Sequence, residues 1–485
     1  MKNDIMNYAL EMANPYLLGA FAPIYEEITA ENLKVKGEIP KDITGVYVRN
    51  GPNPRFEPQG HYHWFDGDGM LHALHLENGK ATYRNRWVRT KNFLEEEKNG
   101  TSLWQGLMGR FSANKDRPWN RGIPLKDTAN TAVAYHNGKL LAGWYMCGDL
   151  YALDPMTLET NGVENFNDTF DAKAMAHVKV DEHTNEMLFF DYELTAAYIA
   201  YGVIDHSGKL VHFTKVPTPG PRVPHDMAIT QQYSVLMDLP LIYDLNVMAT
   251  KGKATPIFRR DLPSRFGIIP RYGQASEIRW FEAKPCYIYH TINAWEEGDE
   301  IIMDCCINPE PTPQKKLSPN ATPEEKLNAY LRLDAHLYRY HFNLKTGQTK
   351  EYPLDDRPTE FPLMNSQYLG RKSKYAYNQH LDLSEVLRFD GIVKYDTENQ
   401  TSQTYWYGEG KFGSESPFIP KPNPKTEDDG YVISFVTDQR NDTSEVVILD
   451  AQNIDAEPLA TIELPQRVPA GFHGCWVAGD RLFHE

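Results

Sequence analysis

ALHLENGKATYRNRW (residues 73–87) sets the terms of the fold. Two β-rich stretches flank Asn78-Gly79, a dipeptide suited to a tight hairpin turn. The arrangement recurs in VAYHNGKLLAGWY (133–145), VIDHSGKLVHF (203–213), YRYHFNLKTGQTKEY (338–352), IVKYDTENQTSQTYWY (392–407) and YVISFVTDQRNDTSEVVIL (431–449). A further strand candidate, ATIELP, follows at 460–465. Hairpins therefore run from about residue 70 to the C-terminus with no helical domain between them. Helical periodicity is confined to the first twenty residues, SLWQGLMGRF (102–111) and TPEEKLNAYLRL (322–333).

An all-β chain of this length must dispose of its sheet edges. A sandwich normally ends nearer 100–250 residues, whereas a propeller of four to eight four-stranded blades reaches 485 naturally. Division by seven gives about 70 residues per blade, typical once loops are long. No strict repeat is visible. The polar stretches 309–325 and 421–430 read as solvent loops, because strand patterns resume on each side. The expectation is one domain over 1–485, with the N-terminal segment 1–30 packed on it.

Composition narrows the function. The hydrophobic fraction is 41%, enough for a large core and too high for wholesale disorder. Fifty Lys and Arg against 66 Asp and Glu leave a net charge of −16, the wrong sign for a protein that tracks nucleic-acid phosphates. The five cysteines (147, 286, 305, 306 and 475) form no CxxC pair and suggest a reducing, cytoplasmic setting. The N-terminus has no long apolar run resembling a signal peptide, and no stretch approaches the ~18 apolar residues of a membrane span.

Most of the 16 histidines need no special account, and His136, His183 and His206 sit in or beside turn signals. His61 and His63 would share one face of a strand and so could pair on a metal, although packing around a tight turn is the plainer role. No HExxH, zinc-type Cys/His spacing, GxSxG elbow or dinucleotide fingerprint is present. Four histidines differ by context: His177 in AMAHVKVDE, His225 in VPHDMAIT, His290 in YIYHTINAW and His473 in VPAGFHGCW. Each adjoins an apolar β-rich stretch, and singly each is more often a structural residue than a ligand. A propeller changes that judgement, because its innermost strands all face one axis and can bring together histidines far apart in sequence.

These contexts, with GVYVRNGPNPRF (45–56), HWFDGDGMLHA (63–73), DTANTAVAYHNGKLLA (127–142), SRFGIIPR (264–271), EFPLMN (360–365) and YGEGKFGSESPFIP (407–420), follow one another in a familiar order. In them the chain resembles the carotenoid cleavage oxygenases, non-haem iron enzymes built on a seven-bladed β-propeller with a small helical and loop dome over the axial metal. The resemblance implies that His177, His225, His290 and His473 are the ligands of Fe(II). It implies that Glu360 and Glu415 accept hydrogen bonds from His290 and His473, fixing tautomer and orientation. A third family glutamate is replaced by Tyr145, so the associated ligand, His225, is expected to be less strongly polarised. Thr131 matches a threonine close to the iron, and Phe65, Trp144, Tyr289 and Phe361 match positions lining the substrate tunnel.

The implied reaction is cleavage of a carbon–carbon double bond with O2, giving two carbonyl fragments without an organic cofactor. Phenolic-alkene cleavers of the family usually carry a lysine where this chain has Gly143-Trp144. A carotenoid or apocarotenoid is therefore preferred over stilbenes and phenylpropenes as substrate. An O2-independent isomerohydrolase and a metal-stabilised protein that only binds an apolar ligand are the remaining alternatives. Segments 102–111 and 235–249 combine Leu, Met, Trp and Phe, and would suit peripheral contact with the membrane that holds such polyenes.

Overall fold

A computed structural model describes residues 14–60, 62–118, 123–146, 148–170, 174, 176–312, 333–382 and 386–482. His61, Cys147 and all but the last residue of the helix expected at 322–333 lie outside these. The strands form seven antiparallel sheets, the blades of a β-propeller, and one separate two-stranded ribbon. Their innermost strands are Ala132–His136, Lys179–Asp181, Ala228–Ile229, Tyr287–Glu297, Thr359–Leu363, Phe418–Pro420 and Gly474–Ala478.

The expected hairpins form. Their turns use left-handed residues such as Asn78 (φ 52°) with Gly79 (φ 72°), and Asn137 (φ 48°) with Gly138 (φ 77°). Strand Gly430–Asp438 shows why some segments read as continuous apolar runs. Ile433 and Phe435 enter one inter-blade core with Tyr47 and Leu74, while Val432 and Val436 enter the next with Tyr377 and Ile392. Both faces are buried, so period-two alternation disappears.

The ring closes by mixing chain ends. Gly474–Ala478 pairs with Gly45–Pro52, Val35–Gly37 pairs with Ala460–Glu463, and Thr29–Ala30 pairs with the outer strand Lys80–Trp87. The segment before residue 30 packs inward from residue 14, with Tyr16 stacked on Trp64 at 5.7 Å between ring centroids.

Two short helices form that the periodicity did not suggest. Lys91–Asn99 is capped by the Thr90 hydroxyl and by Gly100 (φ 69°), and Leu245–Lys251 by the Asp244 carboxylate and Gly252. The helix expected at 102–111 does not form. Leu107 N donates to Asp66 Oδ1 at 2.8 Å, and a Cβ at Gly106 would lie 1.9 Å from Asp66 Oδ2, so the carboxylate holds this segment as an irregular strap. Trp104 and Leu107 are 4% and 2% exposed, which removes them from any membrane-facing patch. Before residue 22, the described residues make two 3-10 turns rather than an α-helix. Among the described residues no helix is long and apolar enough to cross a membrane.

Candidate metal centre

Each inner strand brings one singled-out polar residue to the axis. Thr131, His177, His225, Glu415 and His473 stand one to three residues before their strands, whereas His290 and Glu360 lie inside theirs. Both of the latter occur where strand pairing shifts register, between Ile288 and Thr291 and between Glu360 and Leu363. Such irregularities re-aim side chains. The second is accompanied by Phe361 at φ 49°, a left-handed conformation rarely adopted by a bulky residue.

The four histidines are 5–8% exposed, and one ring nitrogen of each lies within 4.8 Å of the others'. His177 Nε2 and His225 Nε2 are 3.2 Å apart. His290 Nδ1 is hydrogen-bonded to Glu360, leaving its Nε2 buried with no hydrogen-bond partner. His473 Nδ1 lies 2.9 Å from Glu415 Oε1, while Glu415 Oε2 accepts from Gly474 N at 2.7 Å. A carboxylate on Nδ1–H directs the Nε2 lone pair inward, as in other carboxylate–histidine–metal arrangements.

Metal bonds to imidazole of about 2.0–2.1 Å set neighbouring ligand nitrogens about 3 Å apart and opposite ones about 4 Å apart. The 3.2 Å between His177 and His225 is the spacing of neighbouring ligands, all four nitrogens fall within 4.8 Å, and the orphaned His290 Nε2 is the kind of atom a metal satisfies. Burial holds the His225 pKa down to about 3 and those of His177 and His290 well below the usual imidazole range, with repulsion between neighbouring rings adding to the effect. These rings are neutral, the form that coordinates. Burial, reinforced by the charges of Asp226 and Glu415, pushes the Glu360 carboxyl well above the carboxylate range. A dication would relieve that cost.

His225 is flanked by rings: Tyr145 and Tyr289 each lie 5.2 Å away between centroids. Phe361 covers His473 at 4.7 Å, nearly parallel, and His290 at 4.8 Å. Phe65 is half-buried and meets Tyr145 and Phe472 edge-on, both at 5.1 Å. Thr131 is buried; its carbonyl accepts from His473 N at 3.2 Å, and its hydroxyl lies 3.1 Å from Asn130 Oδ1 and 3.3 Å from Tyr145 N.

A cavity opens on His177, His290 and His473, and its walls include Lys179, Asp226, Met364, Glu415 and Arg481. Phe65, Trp144, Tyr289 and Phe361 do not line it. Trp144 instead lines a separate small crevice with Tyr62, Asp66, Trp104 and Lys126. Asp226, Lys179 and Thr291, each within two residues of a site histidine, went unassigned in the sequence. The available signal was a charged or hydroxyl residue set against histidine in an otherwise apolar stretch.

The family model described as RPE65, retinal pigment epithelial membrane protein, matches residues 21–478. Carotenoid 9,10(9',10')-cleavage dioxygenase 1 of Phaseolus vulgaris is 37% identical over 98% of this chain and 91% of its own length. Isoeugenol monooxygenase of Pseudomonas nitroreducens is 32% identical over 96% of this chain and 99% of its own. Among solved structures, the lignostilbene dioxygenase of Pseudomonas brassicacearum superposes with a TM-score of 0.86 at 29% identity, covering 96% of this chain and 99% of that one. A propeller with four histidines meeting on its axis, in a chain matched from end to end by such relatives, belongs to the RPE65 family of carotenoid cleavage oxygenases.

Proposed function

We propose that the chain is a non-haem Fe(II) dioxygenase that cleaves one C=C bond of a carotenoid or apocarotenoid, one atom of O2 entering each of two carbonyl products. The observation that carries this reading is the convergence of His177, His225, His290 and His473 with carboxylates behind two of them. Imidazole donors suit Fe(II), and four neutral ligands leave its positive charge to be balanced one layer out, at Glu360 and Glu415. Bound there, iron supplies activation of O2. The protein's own tasks are to hold ligand tautomers, exclude water and present one double bond of a polyene that offers many. Phe65, Tyr289, Phe361 and Trp144 lie outside the cavity that opens on three of the histidines. From the resemblance, and from the contacts of Tyr289 and Phe361 with the site rings, they are assigned to a separate wall that sets which bond reaches the centre, because aromatic surface grips a polyene through area rather than chemical group.

A second reading, cleavage of phenolic alkenes, is favoured by the likeness to isoeugenol and lignostilbene enzymes. Against it, Lys126, which lines the same crevice as Trp144, is already paired: its Nζ lies 2.5 Å from Asp68 and 2.6 Å from Glu96, both buried. A phenolate there would meet those carboxylates rather than a free cation. The test is anaerobic loading with Fe(II), then chromatography of reactions with apocarotenals, carotenoids, stilbenes and isoeugenol, with and without O2. Paired carbonyl fragments from a polyene, formed only with O2, are expected. Products from phenolic alkenes alone establish the second reading, and O2-independent turnover overturns both.

A further inference from the structure

We propose that Asp226 is a positioning residue that locks three of the four site histidines to one another. The inference rests on the four-histidine reading above and concerns how that site is held. Asp226 directly follows His225, and its side chain is 1% exposed. One of its oxygens, Oδ1, lies 2.8 Å from Lys179 Nζ, which also donates to Oδ2 at 3.0 Å, and Lys179 stands two residues after His177. The other accepts from the backbone N–H of Thr291, which directly follows His290, at 2.8 Å. The Thr291 hydroxyl lies 2.8 Å from that oxygen and 3.0 Å from the Met227 carbonyl, so it shares one proton between two acceptors on the His225 segment. Asp226 Oδ1 also accepts from Met227 N at 2.7 Å, fixing its own rotamer.

One carboxylate therefore ties segments from three adjacent blades, each beside a site histidine. The need for it follows from local structure. His177 and His225 lie in loops before very short inner strands, Lys179–Asp181 and Ala228–Ile229, and His290 sits at a register shift where ladder hydrogen bonds are interrupted. His290 and His473 have carboxylates on their rings, but His225 is flanked by Tyr145 and Tyr289. Its position is set from the backbone side, through Asp226. Lys179 and Asp226 also line the cavity that opens on His177, His290 and His473, so this pair forms part of its wall beside the cluster.

The test is titration of the metal-free full-length protein with Co(II), reading affinity by calorimetry and ligand geometry by the visible d–d spectrum, beside the melting temperature of each metal-free variant. Asp226→Asn and Thr291→Val are each expected to weaken Co(II) binding by roughly 10–100-fold, the range seen when groups that orient metal ligands are removed, and to shift the d–d bands. Thr291→Ser, which keeps the hydroxyl, is expected to restore affinity to within about threefold of wild type, whereas a merely structural role would follow side-chain volume. If Asp226→Asn does not fold, the two Thr291 variants decide the matter alone. Wild-type affinity and spectrum in Thr291→Val overturn the proposal, as does a loss fully accounted for by a lower metal-free melting temperature. His290→Ala separates the two levels: if it too binds Co(II) normally, the four-histidine reading has failed, and if it alone loses binding, only the clasp has.

Discussion

At the scale of single residues, the site depends on four imidazoles, two of which, His290 and His473, have Nδ1 committed to a buried carboxylate. Glu360→Gln keeps the shape of the His290 partner but removes its charge, and should cost about 10–100-fold in Fe(II) affinity, measured by anaerobic titration; an unchanged affinity would separate Glu360 from the site. Tyr145 poses the opposite case. It lies 5.2 Å from His225, where relatives in this family are expected to carry a carboxylate, so Tyr145→Glu should tighten Fe(II) binding and alter turnover; neither changing would remove the weaker polarisation assigned to His225. The four histidines were not legible by spacing, since 48, 65 and 183 residues separate them. They became legible through the stretches around them. Asp226 stayed hidden because its partners, Lys179 and Thr291, lie in other blades, and no local pattern announces a contact across 47 or 65 residues.

At the scale of elements, the hairpins were the readable part, because Asn-Gly, Ser-Gly and Thr-Gly turns mark reversals that the flanking β-rich segments confirm. The cap was not. Helix Lys91–Asn99 buries only Phe93 and Glu96, too little to imprint an apolar stripe, and its readable signals were the capping residues Thr90 and Gly100. The segment 102–111 misled in the other direction: its apolar spacing imitates a helix, yet Asp66 captures Leu107 N and leaves no room for a side chain at Gly106. Gly106→Ala should therefore displace the strap and destabilise the protein by about 1–3 kcal/mol, read as a lower urea midpoint; an unaltered midpoint would mean that the strap tolerates movement away from Asp66. The closing strands Val35–Gly37 and Thr29–Ala30 were equally unreadable, being two or three residues long and partly exposed.

At the scale of the whole molecule, burial of uncharged histidine makes stability depend on pH. His63 and His225 are pushed down to about 3, and His72, His177 and His290 well below 6.5, in each case chiefly by burial. In the unfolded chain these groups take up protons near pH 6.5, so between that pH and about 3 the unfolded state binds protons that the folded state refuses. Asp66, raised to about 7, and Glu360, Asp304 and Glu427, also raised chiefly by burial, act the other way, but burial lowers His75, His136, His212 and His336 as well, so four groups stand against nine. The metal-free protein should accordingly unfold at lower urea concentration at pH 5 than at pH 7, and equal midpoints would contradict the neutral buried histidines. The ring architecture is what allows this cost, because a closed propeller has one axis on which all seven inner strands converge, and a metal held there would compensate the polar groups gathered on it. X-ray absorption at the iron edge of anaerobically Fe(II)-loaded protein tests that convergence most directly. Four imidazole scatterers around the iron are predicted, and a shell of two or three imidazoles completed by a protein carboxylate would contradict it.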